Sequence, residues 1–516
     1  MLATFLSTAN LAAQESKPPA TIHPSAMPRT GTIDERFQSY NVEMVEVTGG
    51  RFWKPYGSQL KPQAPPSPAA NQPAGISPSL FEYRPPIDLT NPRLRKLASA
   101  LGPAYLRVSG TWQNSTYFQD SDDPPLQTPP QGFNSVLTRP EWKGVVDFSH
   151  AVDAKIITSF AISPGTRDAA GVWTSDQASH LLTYTRSVGG SIAAAEFMNE
   201  PTFAMMGGAP KGYDAAAYAR DLAVFIPFAH KAAPDMTVLG PGSVGEGIPL
   251  APGPMPIIKT EDILQATGPV FDAFSYHFYG AVSSRCSMGT SIGTTPEAAL
   301  SGEWLSRTGT VEAFYSDLRD RFVPGKPMWL TETGQAACGG DRWASTFIDT
   351  FRYLNQLGLL AQRGVQVVAH NTLSASDYGL LDENTYAPRP DYWAALVWHR
   401  LMGTIVLNPG ASPDPRLKLY AHCLRDVPGG VALLAINTDR SAALTLRIPT
   451  ASERYSLTAT SLLDTTVQLN GVELKLGPDD TLPPLTGTPV PIGSVIFAPA
   501  SINFLSIPKA NNAACR

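Results

Sequence analysis

At 516 residues, 43% of them hydrophobic and 16% charged, with a formal charge of −5, the chain can bury a large core and has room for a second domain. The acidic balance gives no electrostatic footprint for nucleic acid or an anionic membrane surface, and no apolar run reaches the roughly 20 residues of a membrane span. With 48 prolines and so few charges, the chain reads as loop-rich and globular, not as disordered.

The first 13 residues, MLATFLSTANLAA, are small and apolar with no Lys or Arg before them, so residues 1–20 read as an atypical or trimmed export signal. The Pro-rich segment 21–35 is expected to add a strand to a C-terminal domain, because chain ends often meet. Strand-like runs then follow at QSYNVEMV (38–45), AYLRVS (104–109), KIITSFAIS (155–163) and IAAAEFM (192–198). They continue at MTVLG (236–240), FDAFSYHF (271–278), MWLTE (328–332) and VQVVAHN (365–371). Helical periodicity fills the intervals, at NPRLRKLASAL, at 213–231 and most clearly at 344–364. The basic RLRKL at 93–97 reads as a solvated helix face. Eight strands alternating with helices predict an α/β fold, a (β/α)8 barrel over 36–404. After YWAALVWHRLMGT the pattern becomes purely strand and turn, which predicts an antiparallel β-sandwich over 405–516.

Three motifs are set aside on context. GPGSVG (240–245) matches GxGxxG, but EGIPLAPGPMPII follows it and cannot open the helix a dinucleotide site needs, so it reads as a plain βα loop. GTSIG (289–293) matches a nucleophile elbow without a buried strand before it. Asn114-Ser115-Thr116 is a glycosylation sequon, meaningful in a eukaryotic secretory route. The four cysteines are scattered without CxxC spacing, which speaks against a metal site and suits two disulfides in an exported protein.

Two carboxylates stand out. Glu200 ends the fourth expected strand, in FMNEP, and Glu332 ends the seventh, in WLTETG. Both therefore belong at the C-terminal mouth of the barrel, where barrel chemistry sits. For one such Glu, a strand-end salt bridge is the simpler reading. Two, each closing an apolar strand of the same barrel, fit the acid/base and nucleophile pair of glycosidic cleavage.

FMNEP and WLTETG resemble the signatures of retaining glycosidases. The longer segments AYLRVSGT, YLNQLGLLAQRGVQVV, YGLLDENTYAPRPDYWAALVWHRLMGT and VQLNGVELKLGPDDTLPPL resemble glycoside hydrolase family 79, the heparanase and β-glucuronidase family. The resemblance implies Glu200 as general acid/base and Glu332 as nucleophile, with Asn199 on the sugar 2-hydroxyl. It places Glu43 at the 4-hydroxyl, Thr111 near the 3-hydroxyl, and His277 and Tyr279 on the floor around the nucleophile. Tyr378 and the amides of Gly339 and Gly340 would bind the C6 carboxylate; a phenol and two glycine amides supply donors without crowding. A pocket neutral in this way also keeps arginine from pairing with Glu332. The stretch from Glu332 to the glycines is one residue longer than in the heparanases, which leaves open which amide faces the sugar. The family also implies a Cys423–Cys515 disulfide, and in its barrel Cys286 and Cys338 fall on adjacent loops that a second bridge could join.

The expectation is a secreted or periplasmic retaining exo-β-D-glucuronidase that removes terminal glucuronic acid, its 4-O-methyl form being an open alternative, from glycans or small glucuronides. No metal or cofactor is implied, and a single-chain monomer is expected. Two readings compete: an endo-acting enzyme on heparan-type chains, and a non-catalytic carbohydrate-binding barrel. The absence of basic clusters beside the expected cleft and the acidic QDSDDPPLQTPP in the loop 112–140 speak against a sulfated polymer; two intact carboxylates speak against the binding protein.

Overall fold

Eight short segments pair in parallel and close into a barrel: β1 (Gln38–Glu43), β2 (Ala104–Ser109), β3 (Ala154–Thr158), β4 (Ile192–Glu196), β5 (Thr237–Ser243), β6 (Ala273–Tyr279), β7 (Met328–Gly334) and β8 (Val367–His370). The computed structural model describes residues 19–58, 73, 76–248, 257–286 and 293–516, so nearly all of the expected export signal and most of GTSIG lie outside the described residues. Each strand is followed by a helix that covers it: α1 (Pro92–Ser99), α2 (Arg139–Ala151), α3 (Asp176–Ser187), α4 (Ala215–Ala232), α5 (Thr260–Thr267), α6 (Gly302–Phe322), α7 (Asp349–Gln362) and α8 (Pro390–Leu401). Burial on both faces is why the strands read as continuous apolar runs without alternation.

Local chemistry sets several boundaries. β1 stops at Glu43 because a capping box forms there: the Glu43 carboxylate accepts from the backbone of Glu46, and Glu46 Oε2 accepts from Glu43 N–H at 2.8 Å. Met44 and Val45, read as strand, therefore begin a one-turn helix, Met44–Thr48. The helix expected from residue 344 starts only at Asp349. GPGSVG is not a plain loop; its first four residues complete β5. A Cβ at Gly242 would come within 2.9 Å of the buried Glu196 Oε1, so the glycine makes room for a carboxylate and not for a nucleotide. The RLRKL face is solvated in part, with Lys96 exposed, and it also makes long-range contacts. Arg93 pairs with Asp480 at 2.7 Å and Lys96 donates to the Asp479 carbonyl at 2.9 Å, which ties α1 to a turn in the C-terminal region.

That region is antiparallel. Its large sheet runs through Arg29–Thr32, β9 (Met402–Leu407), β10 (Leu417–Leu424), β11 (Val431–Asn437), then Ser501–Ile507 and Ser452–Thr458; Leu444–Ile448 pairs with Gly493–Phe497 to face it. Leu433 and Leu505 from one side share an apolar core with Leu446, Val495 and Phe497 from the other. All four cysteines are bridged, as Cys286–Cys338 and Cys423–Cys515. Among the described residues no helix is long and apolar enough to cross a membrane.

The sandwich meets the barrel at α7. Tyr420 Oη donates to Asn355 Oδ1 at 2.7 Å, and a Cβ at Gly358 would fall on the Tyr420 ring. Gly358→Val is accordingly expected to cost about 1–3 kcal/mol by overpacking. The check is a lower urea midpoint with unchanged turnover per folded molecule.

Candidate active site

The floor of the barrel is apolar: Tyr105, Ile157, Ala194, Leu239, Ala273, Trp329 and Val367, one from each of β2 to β8, form a single buried cluster. Two residues further along β2, β4 and β7 the same inward face carries Arg107, Glu196 and Thr331, following the two-residue strand period. These polar groups satisfy one another. Arg107 Nη2 donates to Glu196 Oε2 at 2.9 Å and to Asn199 Oδ1 at 2.8 Å, and Thr331 Oγ1 donates to Glu196 Oε1 at 2.7 Å. Burial opposes charge on Glu196, but Arg107, His277 and Thr331 outweigh it and hold its pKa well below the usual carboxylate range.

Glu332 follows Thr331 directly, yet both reach the interior. The register of β7 against β8 shifts between Leu330 and Thr333, and such an irregularity re-aims successive side chains. Glu332 Oε2 accepts from Arg107 Nη1 at 2.8 Å and Oε1 accepts from Tyr279 Oη at 2.8 Å. This corrects the expectation that arginine stays away from Glu332. Arg107 is buried within the barrel and shared with Glu196, so its charge serves a group of buried carboxylates. Burying Glu332, Glu196 and Glu43 with no cation among them would be prohibitive.

Glu200 stands just beyond β4 in the left-handed region, φ +49°, with Pro201 after it; a strained residue of this kind at a barrel mouth is typical of functional sites. Asn114 holds the turn: its Oδ1 accepts from Asn199 N–H at 2.8 Å and its Nδ2 donates to the Asn199 carbonyl at 2.9 Å. Asn114 is fully buried, so the sequon is a structural clamp and not a glycan acceptor in the folded protein. His277 Nδ1 lies 3.0 Å from Glu200 Oε1 and 3.7 Å from Glu332 Oε2, while its Nε2 is 3.6 Å from Glu196 Oε1. Burial works against a charged imidazole, yet Glu332 and the two neighbouring glutamates raise its pKa to about 9. The Glu200 carboxyl is raised, first by burial and then by Glu332, with the His277 contact opposing.

Glu43, Tyr279 and Tyr378 stand around this centre. Glu43 is buried at the end of β1, raised well above the usual range by burial and by Glu332, and a Cβ at Gly110 would collide with its carboxylate. Only glycine fits there, at φ +93°, and Thr111 opens the next turn. Asn371 Nδ2 donates to both Tyr279 Oη (3.0 Å) and Tyr378 Oη (3.2 Å), aligning the two rings. Gly339 and Gly340 both have φ +84°. Gly340 is corrected as a ligand: its N–H already donates to the Ala336 carbonyl at 3.1 Å, closing a turn. Arg107, Glu196, Asn371 and Asn114 as a clamp were not foreseen from sequence.

Glu200, His277 and Glu332 each bring one atom within 4.8 Å of the others, a spacing that could in principle hold a cation. The Arg107 guanidinium on Glu332, which also lies 3.2 Å from His277 Nε2, already supplies positive charge at that point. The cluster therefore reads as carboxylates neutralised by side chains.

A closed parallel barrel with two adjoining carboxylates at its C-terminal mouth has the architecture of a glycoside hydrolase. Residues 85–358 match the model of glycosyl hydrolase family 79, N-terminal domain, and the chain belongs to that family. Mouse heparanase is 29% identical over 495 residues, covering 83% of this chain and 88% of the relative. Baicalin-β-D-glucuronidase of Scutellaria baicalensis is 34% identical over 189 residues, covering 35% of this chain and 36% of its own. The solved structure of a 4-O-α-L-rhamnosyl-β-D-glucuronidase from Fusarium oxysporum superposes with a TM-score of 0.61 at 13% identity, over 95% of this chain and 99% of that one, a likeness of fold.

Proposed function

We propose that the protein is a retaining exo-β-D-glucuronidase that releases terminal β-linked glucuronic acid by double displacement. The observation that supports double displacement is that one oxygen of Glu200 and one of Glu332 lie within 4.8 Å of each other, too close for an interposed attacking water. Retaining glycosidases hold their carboxyl groups about 5–5.5 Å apart, whereas inverting ones leave about 6.5–9.5 Å for a water. Glu332 attacks the anomeric carbon as Glu200 gives its proton to the departing oxygen. Glu200, now ionised, then takes a proton from water, whose oxygen displaces Glu332 and restores both groups. His277 and Tyr279 fix the two carboxylates, and Asn199, oriented by Arg107, takes the 2-hydroxyl.

Glu43 and Thr111 serve the 4- and 3-hydroxyls; Glu43 Oε2 is buried without a partner, a free acceptor for a hydroxyl. Tyr378 and the Gly339 amide take the carboxylate, Gly340 having been spent internally. The heparanase and the baicalin glucuronidase among the relatives support a glucuronide substrate. Two disulfides support a secreted or periplasmic enzyme.

Endo-action on sulfated chains is the second reading. Arg285 and Arg342 lie 4.1 and 4.5 Å from the Tyr56 ring, near Gly340. Against it, Arg285 is already paired with Asp377. The acidic loop argues less than its sequence suggested, since Asp120 and Asp122 are both engaged by Arg139.

Parallel assays on 4-nitrophenyl β-D-glucuronide and heparan sulfate decide between the two. Nitrophenol release with no fall in polymer length is expected. Depolymerisation without nitrophenol release overturns the exo reading.

A further inference from the structure

The segment after β7 contains three successive residues in left-handed backbone: Cys338 (φ +64°), Gly339 (+84°) and Gly340 (+84°). Glycine adopts this region freely and cysteine does not, so the fold around Cys338 must hold it there. The loops after β6 and β7 are zipped together: Ala337 N–H donates to the Ala281 carbonyl at 2.9 Å, and Ser283 N–H donates to the Ala337 carbonyl at 3.0 Å. The bond from Cys286 to Cys338 closes the far end of that zipper. Immediately beyond it, Gly339 is pressed on Trp53, where a Cβ would stand 2.6 Å from the Trp53 Cβ. Gly340 borders Tyr378 less tightly, a Cβ there falling 3.1 Å from that of Tyr378.

The N–H of Gly339 belongs to the peptide that leaves Cys338, so the direction of that donor is set by the residue bonded to Cys286. Its own carbonyl is held by the loop after β8, accepting from Ser376 Oγ at 3.0 Å and Asp377 N–H at 3.1 Å. We propose that the Cys286–Cys338 disulfide is a specificity-determining positioning element, which aims the Gly339 amide at the sugar's C6 carboxylate beside Tyr378. This rests on the glucuronidase reading and deepens it: the bridge confers preference for a uronate over the neutral sugar.

The test replaces Cys286→Ser together with Cys338→Ser. Kinetics are measured on 4-nitrophenyl β-D-glucuronide and on the matching β-D-glucoside, which has a hydroxymethyl in place of the carboxylate. KM for the glucuronide should rise about tenfold, the loss expected for one hydrogen bond to a charged group, with kcat held within about threefold. The kcat/KM for the glucoside should not move, so the preference for the uronate falls about tenfold. Cys423→Ser with Cys515→Ser should leave that preference intact.

If the first variant cannot be recovered folded, the native enzyme reduced in its folded state, with opening of 286 and 338 verified by peptide mapping, gives the same comparison. An unchanged preference, or equal losses on both sugars, overturns the positioning role while the glucuronidase reading stands. Failure of the unmodified enzyme to cleave the glucuronide overturns that reading, and this inference with it.

Discussion

Glu332→Gln is expected to lower turnover of an aryl β-glucuronide by at least about 10⁴-fold, at about 1.4 kcal/mol of barrier per decade. The substitution keeps shape and volume, so its effect isolates chemistry. An amide oxygen can still accept from Arg107 or from Tyr279, which lie on the two oxygens at 2.8 Å each. Arg107 also keeps its bond to Glu196 at 2.9 Å, so no unpaired buried charge is created. What the amide cannot do is form the glycosyl ester. Equilibrium binding of glucuronate should therefore stay within a few-fold of the native value while turnover collapses. A 2-fluoro-glucuronide that labels a peptide containing Glu332 in the native enzyme should leave the variant unlabelled. Turnover within tenfold of native would place the nucleophile elsewhere.

Much of this site was legible because its parts are local. Asn-Glu-Pro and Thr-Glu-Thr-Gly each end an apolar strand, and a barrel sends all such ends to one face. Arg107 and Glu196 escaped notice although both stand inside strands quoted for other reasons. AYLRVS puts Tyr105, Arg107 and Ser109 on one face, and IAAAEFMNE does the same for Ala194 and Glu196. Charged residues at inward positions of buried strands need partners, and that cost was the available signal: one arginine and one spare glutamate, two strands apart, at matching depth. It becomes readable only when both faces of the strands are known to be buried.

The remaining misses are of another kind. Gly340 was assigned a ligand role that its bond to Ala336 forecloses, and Asn114 was read as a sequon when it clamps Asn199. The RLRKL face, besides being solvated in part, grips the turn at Asp480, and that contact was missed. Each depends on a hydrogen bond to a residue distant in the chain or on the closure of an irregular turn, and neither leaves a periodic trace in sequence.

Glu200 is the second residue whose loss should be severe, and its effect should depend on pH and on the leaving group. Burial and the Glu332 carboxylate raise its pKa, against the pull of His277 at 3.0 Å. A raised pKa keeps the proton on Glu200 to higher pH, so the general-acid form is fully present below the shifted value and is lost as pH rises through it. The native enzyme should thus show an alkaline limb in kcat/KM that Glu200→Gln lacks. For a glucuronide with a sugar leaving group, which cannot depart without a proton, Glu200→Ala should reduce kcat/KM by about 10²–10⁴-fold. For 4-nitrophenyl β-D-glucuronide the loss in kcat/KM should be far smaller, because nitrophenolate leaves unaided. Its kcat should still fall together with KM, since the glycosyl ester on Glu332 accumulates when no base activates water. Added azide needs no base, so it should restore kcat in Glu200→Ala and yield the β-glucuronosyl azide. An α-azide, or equal losses on both leaving groups, would rule out Glu200 as the acid/base of a double displacement.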